Sequence, residues 1–320
     1  MNTCCKWRQK MNTIKFNRMP GISTERHNPE EEKSRQIFLF SEETIISDPL
    51  NLNILISYGC NCDCNFCITK YGKQLPVIPD DEYLHQLDKA FSQLKGLPIE
   101  ITITGGEPTL FPKRLIPVLH MIDSIGFSHR TFLTNGSGLL KYWEGKPILQ
   151  YLKETGAIYN INLSRHHMDE TRNRKLMKGI VPTNSDLKQI SSFCDVNHMD
   201  IRLSCNMMKN GICDFDSMME YMDFAEDMGF HNMIFREIPI HGLETIKISP
   251  IMEQIKNDNS FQYIEMIENS HYTIDILKYK SYVVKLYQSK QNNHLLSNLV
   301  YREGLLSDSW DTDHFYEVRE

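Results

Sequence analysis

From Asn51 to about residue 240, strand-like runs alternate with helix-like ones, and this alternation restricts the chain to a small set of folds. The apolar run Leu52 to Ile56 begins the series, followed by a helix near Asp81 to Leu94 with Leu84, Leu87, Ala90, Phe91 and Leu94 at helical spacing. Residues 99–104, IEITIT, alternate and are β-branched, which marks a strand. A helix through Leu115, Leu119 and Ile122 leads to a strand near Arg130 to Thr134, closed by Asn135-Gly136. The helix Ile148 to Lys153 precedes a strand from Ala157 to Leu163, and the helix Ser185 to Phe193 precedes one from Asp200 to Ser204. The helix Phe215 to Met228 leads to Asn232 to Ile238. Such consecutive βα units predict a parallel sheet with helices outside it, and active sites of such sheets form at the carboxyl ends of the strands.

Two strand ends carry chemistry. The first strand runs into CNCDCNFC, in which Cys60, Cys64 and Cys67 form CxxxCxxC with Phe66 just before the last cysteine. Three thiolates at this spacing can hold one 4Fe-4S cluster and leave one iron without a protein ligand, whereas clusters kept for electron transfer normally take four cysteines. A zinc knuckle needs a second short-spaced ligand pair; none follows in the next stretch of chain. Cys62 reads as a bystander. The strand 99–104 ends in Gly105, Gly106, Glu107 and Pro108, where two glycines permit close backbone approach and Glu107 offers an anionic acceptor for an ammonium group.

Together, the cysteine loop and the Gly-Gly-Glu-Pro turn about forty residues later resemble the radical S-adenosylmethionine (SAM) superfamily. The resemblance implies a partial (βα)6 TIM-like barrel, an α/β fold with one 4Fe-4S cluster on Cys60, Cys64 and Cys67. It implies that SAM chelates the open iron, with its ammonium near Glu107. It implies that reductive cleavage of SAM gives a 5′-deoxyadenosyl radical that takes hydrogen from a substrate, and that a partner such as flavodoxin or ferredoxin reduces the cluster. The core resembles the general GTP-cyclase-like type of that superfamily. Residues 214–320 contain no cysteine, so within them neither the cysteine-rich auxiliary-cluster region of many peptide-modifying members nor the cyclase's own C-terminal cysteine triad is expected.

The resemblance nominates further SAM neighbours at the other strand ends. Thr134, Asn135 and Gly136 match a polar-Asn-Gly turn near SAM, although Asn-Gly is also an ordinary turn. Ser164 stands where relatives place a polar group near SAM, with Arg165 beside it. Lys178-Gly179 stands where relatives carry an Arg-Gly whose cation meets SAM's carboxylate, and Asn206 is a candidate ribose contact. Arg236 admits two readings, a side chain facing the cavity or a solvated, ion-paired one.

His166 and His167, within the polar run 164–170, are candidates for the acid or base that handles a substrate proton. Adjacent histidines diverge, which argues against joint metal binding. Cys205 and Cys213 are candidate hydrogen-atom donors, against the ordinary reading of free cysteines as buried packing. Met218, Met219 and Met222 read first as core.

The chain has 320 residues with 41% hydrophobic content, enough for one large core. We expect an N-terminal extension at 1–45, a core barrel at 46–240 and a C-terminal strand-rich cap at 241–320. The cap includes strand-like segments Tyr272 to Leu277, Tyr282 to Tyr287 and Leu295 to Tyr301, then Trp310-Asp311 among carboxylates. A net charge of −6 disfavours a nucleic-acid partner. No apolar run reaches bilayer length, the first 35 residues lack a secretory apolar segment, and nine cysteines suggest metal or catalytic use, so a cytoplasmic location is expected. The substrate expected is a small molecule or nucleotide; a peptide substrate, with epimerisation or crosslinking, is the alternative, and a non-catalytic iron–sulfur or zinc module is a third reading.

Overall fold

The computed structural model describes residues 34–39, 42–125, 127, 129–238, 246–269, 271–290, 296–310, 312, 315 and 316. The chain runs β1 (Ser34–Leu39), β2 (Glu42–Leu55), α1 (Ile68–Tyr71), α2 (Asp80–Leu94), β3 (Ile99–Thr104), α3 (Pro112–Ile125) and β4 (His129–Thr134). A small hairpin, β5 (Tyr142–Trp143) and β6 (Lys146–Pro147), leads to α4 (Ile148–Glu154), β7 (Asn160–Ser164), α5 (Glu170–Met177) and α6 (Asn184–Val196). Then come β8 (Asp200–Asn206), α7 (Phe215–Asp227), β9 (Asn232–Arg236) and α8 (Ser249–Lys256). The chain closes with β10 (Phe261–Glu268), β11 (Tyr272–Tyr279), β12 (Tyr282–Ser289), β13 (Leu296–Arg302) and β14 (Leu305–Ser307).

Strands β2, β3, β4, β7, β8 and β9 pair in parallel and in chain order, as expected of the βα series. The C-terminal region extends this sheet at both sides. Strand β12 adds parallel to β9 and carries the antiparallel β11 and β10, while β13 adds parallel to β2 and carries β14. The segment expected as a cap is therefore continuous with the barrel sheet. The expected boundary at residue 45 falls inside β2, whose first half pairs antiparallel with β1. Cys4, Cys5 and the rest of 1–33 lie outside the described residues, as does Asp311.

Helices cover one face of the sheet. Ile99, Ile101 and Ile103 of β3 are buried there, with Leu87, Phe91, Leu115, Leu119 and Ile122 from α2 and α3 in the same cluster. Each such side chain contributes roughly 1.5–3 kcal/mol of transfer free energy. Met218 and Met222 of α7 are also core residues, and Met219 packs partly buried against them. Helix ends are locally specified: Thr183 with Asp186 caps α6, and Asp214 with Ser217 caps α7, each in a reciprocal capping box.

The opposite face is polar. Strand alternation and register place Asn51 and Asn53 of β2, Thr102 and Thr104 of β3, Asn160, Asn162 and Ser164 of β7, and Arg202, Ser204 and Asn206 of β8 on it. The C-terminal strands are locked on by a buried pair: Arg114 Nη1 donates to Glu303 Oε1 at 3.0 Å while its guanidinium lies 4.1 Å from the Tyr83 ring centre. The Trp310 carbonyl accepts from Lys73 N at 2.9 Å and from buried Arg302, so the tail seals the chain just after α1. No helix is long and apolar enough to cross a membrane among the described residues.

Candidate functional site

The cysteine loop leaves β2 and docks on backbone at two places. The Gly106 and Glu107 amides donate to the Ser57 and Gly59 carbonyls at 2.7 and 2.9 Å, and a Cβ on Gly106 would collide with Gly59. Glycine is required at this close approach. On the other side, Asp63 N donates to the carbonyls of Met177 and Lys178 at 3.0 and 3.2 Å, and Ile180 N donates to Asn61 O at 3.3 Å. Gly179 serves the same purpose there, since a Cβ would meet Asn61 O and Cys62.

Cys64 is buried, Cys67 half-buried and Cys60 exposed. The Cys62 thiol is hydrogen-bonded to Cys60 and Cys64; those bonds raise its pKa, and they lower that of Cys64 and bring Cys60 to about 7. Cys62, read as a bystander, is thus in contact with both neighbours. Asn135 Nδ2 reaches the same sulfurs, 3.5 Å from Cys62 and 3.8 Å from Cys60, and donates to Asn61 Oδ1 at 2.9 Å. No group of three ligand side chains converges as a single-ion site among the described residues. A cluster binds each cysteine through a different iron, so its ligand sulfurs do not meet at one point. Soft thiol donors from one loop, seated against glycine backbone, fit an iron–sulfur group rather than a hard cation.

Glu107 departs from expectation. Its side chain is fully buried, and four protein donors fill it. Oε1 accepts from Thr109 N at 3.1 Å, Thr109 Oγ1 at 2.6 Å and Thr134 Oγ1 at 2.7 Å, while Oε2 accepts from Asn135 N at 2.6 Å. Burial raises its pKa against the opposing pull of these donors. A group with no accessible surface does not receive an ammonium without rearrangement; Glu107 instead ties the end of β3 to the end of β4 and fixes Asn135. Pro108 starts a short 3-10 turn behind it and is buried.

The run after β7 also folds inward. Arg165 is 1% exposed, and it donates to the carbonyls of His167, Met168 and Pro182 and to Asn184 Oδ1 at 2.8–3.2 Å. Its guanidinium thus organises the loop and is not available to SAM. His166 Nδ1 accepts from Asn206 N at 3.0 Å, and its ring meets Phe66 edge-on at 4.7 Å. Burial, then the Arg165 charge, pushes its pKa down to about 3. With Nδ1 accepting, the ring proton belongs on Nε2, so of the acid and base roles considered for His166 the structure leaves it a neutral Nε2–H donor. His167 Nδ1 accepts from Asp169 N at 2.9 Å, and burial lowers its pKa too, so it also serves the loop.

Lys178 adopts a left-handed conformation at the end of α5 and donates to Asn65 Oδ1 at 2.6 Å, engaging the cysteine loop where a SAM carboxylate contact was expected. Ser164 is half-buried on the polar face, and its hydroxyl has no partner among the described residues. Cys205 is fully buried on the helix-covered face, opposite Ser204 and Asn206, so it is not placed to donate hydrogen into the polar side. Cys213 lies at the start of α7 with its thiol 3.6 Å from Asp214 Oδ2. Arg236 stands on the polar face, its guanidinium 4.5 Å from the Tyr287 ring centre. Sequence reasoning missed Asn61 and Ser137, whose amide and hydroxyl join at 2.9 Å beside Asn135. Nothing but their proximity to known motifs could have singled them out.

Comparison with known proteins bears on this arrangement. The radical SAM superfamily model matches residues 54–190. No curated protein matches the chain. Among solved structures, SuiB of Streptococcus suis bound to its precursor peptide SuiA is similar at a TM-score of 0.50 and 19% identity, over 66% of this chain and 46% of that one. The anSMEcpe structure with bound AdoMet and Cp18Cys peptide gives 0.48 and 18%, over 65% and 58%. A radical SAM methyltransferase from Sphaerobacter thermophilus gives 0.44 and 14%, over 70% and 65%. The chain spans less than half the length of SuiB, and likeness at this identity concerns the fold. Both the cysteine loop and the Gly-Gly-Glu-Pro turn fall within the segment, residues 54–190, that matches the radical SAM superfamily model, and they lie at the ends of neighbouring parallel strands.

Proposed function

We propose that this chain is an enzyme that binds one 4Fe-4S cluster through Cys60, Cys64 and Cys67, binds SAM beside it, and acts on a small-molecule or nucleotide-type substrate. The observation that carries the reading is the seating of the cysteine loop on the Gly106-Glu107 backbone and against Asn135 at the ends of β3 and β4. When bound, the cluster would supply the electron that reductively cleaves SAM, giving a 5′-deoxyadenosyl radical that takes hydrogen from the substrate. The protein's part is positional. Glu107 holds two strand ends in register, Asn135 directs its amide to the cysteine sulfurs, and His166 offers a neutral Nε2–H beside Phe66. Gly106 and Gly179 let the loop lie close to backbone on both sides. A small reducing protein such as flavodoxin or ferredoxin is the electron donor in this reading.

Burial of Cys205 on the far face removes one of the two candidate hydrogen donors for a peptide epimerase, which favours the small-molecule reading. The test is 5′-deoxyadenosine formation by anaerobically reconstituted protein with SAM and a strong reductant. The native chain should form it, and a variant with Cys60, Cys64 and Cys67 all changed to Ala should not; equal yields, or none from a fully loaded native chain, would reject the proposal.

A further inference from the structure

Arg202, Arg236 and Lys285 stand on the polar face on the neighbouring strands β8, β9 and β12. Register fixes their placement: Ser164 pairs with Ser204, which lies between Arg202 and Asn206 on β8; Asn206 pairs with Arg236 of β9; and Arg236 pairs with Tyr287, two residues beyond Lys285 on β12. With about 6.6 Å between same-face residues and about 4.8 Å between strands, the three cations border one area: Arg236 is level with Asn206, Lys285 is level with Ser164 and Ser204, and Arg202 is one same-face step lower. All three side chains are half-buried.

None of the three forms an ion pair among the described residues. Arg202 Nε and Arg236 Nε are buried without a hydrogen-bond partner, and the Arg236 guanidinium lies over the Tyr287 ring. Two acids of this face, Asp200 and Glu265 of β10, attract Lys285 without forming an ion pair with it, and Asp200 accepts from Asn232 Nδ2 at 2.8 Å. Burial, and then the Arg202 charge, lower the Lys285 pKa against the opposing pull of Tyr287, Asp200 and Glu265. Arginines are planar donors suited to bidentate binding of carboxylate or phosphate, and leaving buried donors unfilled is costly.

We propose that Arg202, Arg236 and Lys285 form the seat for an oxyanion of the substrate, a carboxylate or a phosphate, on the polar face below the cysteine loop. This rests on the radical SAM reading only in naming the anion as part of the substrate; the anion site itself stands on geometry. A substrate held there by its anion would lie on the same face as Ser164 and Asn206, at the strand ends that face the SAM region.

The test is thermal unfolding of the full, anaerobically reconstituted protein with SAM, titrated with sodium phosphate or sodium acetate against sodium chloride at matched ionic strength. Phosphate, acetate or both should raise the unfolding temperature beyond chloride; which one does identifies the oxyanion. Arg202→Gln, Arg236→Gln and Lys285→Gln should each weaken the apparent affinity about tenfold or more, and should unfold in chloride at the same or higher temperature than the native chain, because like charges are relieved. Arg236→Lys should keep part of the response. No oxyanion effect beyond chloride, or an undiminished effect in the Gln variants, would overturn the site. Gln variants that unfold earlier in chloride would likewise show the cations to be structural. The readout does not pass through SAM cleavage, so failure of 5′-deoxyadenosine formation and failure of the anion site are separable.

Discussion

Replacing Glu107 by Gln separates a clamp from a SAM contact. The carboxylate accepts three bonds at Oε1 and one at Oε2. A carboxamide has one oxygen and one NH2. If the NH2 takes the Oε2 place it faces the Asn135 amide, and in the Oε1 place it faces the Thr109 amide; the threonine hydroxyls can rotate to accept, but the backbone amides cannot. Either way a donor meets a donor in a site with no accessible surface. A charge-assisted hydrogen bond contributes about 1.5–3 kcal/mol and an unsatisfied buried donor costs about 1–3 kcal/mol. Relief of the carboxylate's desolvation, which raises its pKa, offsets part of this. We therefore expect Glu107→Gln to destabilise the holoprotein by roughly 2–4 kcal/mol. The assay is anaerobic denaturant unfolding, where the midpoint should fall with the slope unchanged. A variant with the native midpoint but weakened SAM binding would refute the clamp and restore Glu107 as a direct ligand contact.

Two other outcomes follow from the same geometry. His166 has a folded pKa of about 3 against an unfolded value near 6.5, so its stabilisation is full above pH 6.5 and is lost as pH falls toward the folded value. Between pH 8 and pH 5 this amounts to about 2 kcal/mol, and His166→Gln, which can still accept from Asn206 N, should flatten that part of the stability profile; an unchanged profile would contradict the buried neutral ring. Gly179→Ala should push Asn61 and Cys62 off their seat, at an overpacking cost of about 1–3 kcal/mol, and lower iron and sulfide content after reconstitution; full loading would show that the loop does not need this approach.

The parallel strands and their helices were legible because each carried its own apolar period, and residues 99–104 became β3 without adjustment. The missed elements lack that signal. Strand β1 (SRQIFL) and the first half of β2 (EETIISD) lack a period-2 alternation, and β10 is exposed along most of its length, so pairing partners rather than local pattern make them strands. At the site, the motifs located Cys60, Cys64, Cys67 and Glu107 but not what Glu107 touches, because Thr134 and Asn135 arrive on a separate strand 27 and 28 residues later. The inward fold of Arg165 and His166 was hidden in a run that looked solvated. The face of Cys205 was readable in principle: with Ser204 and Asn206 turned to the polar side, strand alternation sends Cys205 to the core.

The EPR spectrum of the reduced, reconstituted protein, recorded with and without SAM, reports on the open iron itself. Three cysteine ligands and SAM at the fourth iron predict a reduced 4Fe-4S signal that shifts on SAM addition. A reduced 4Fe-4S signal identical in the presence and absence of saturating SAM would contradict binding at that iron.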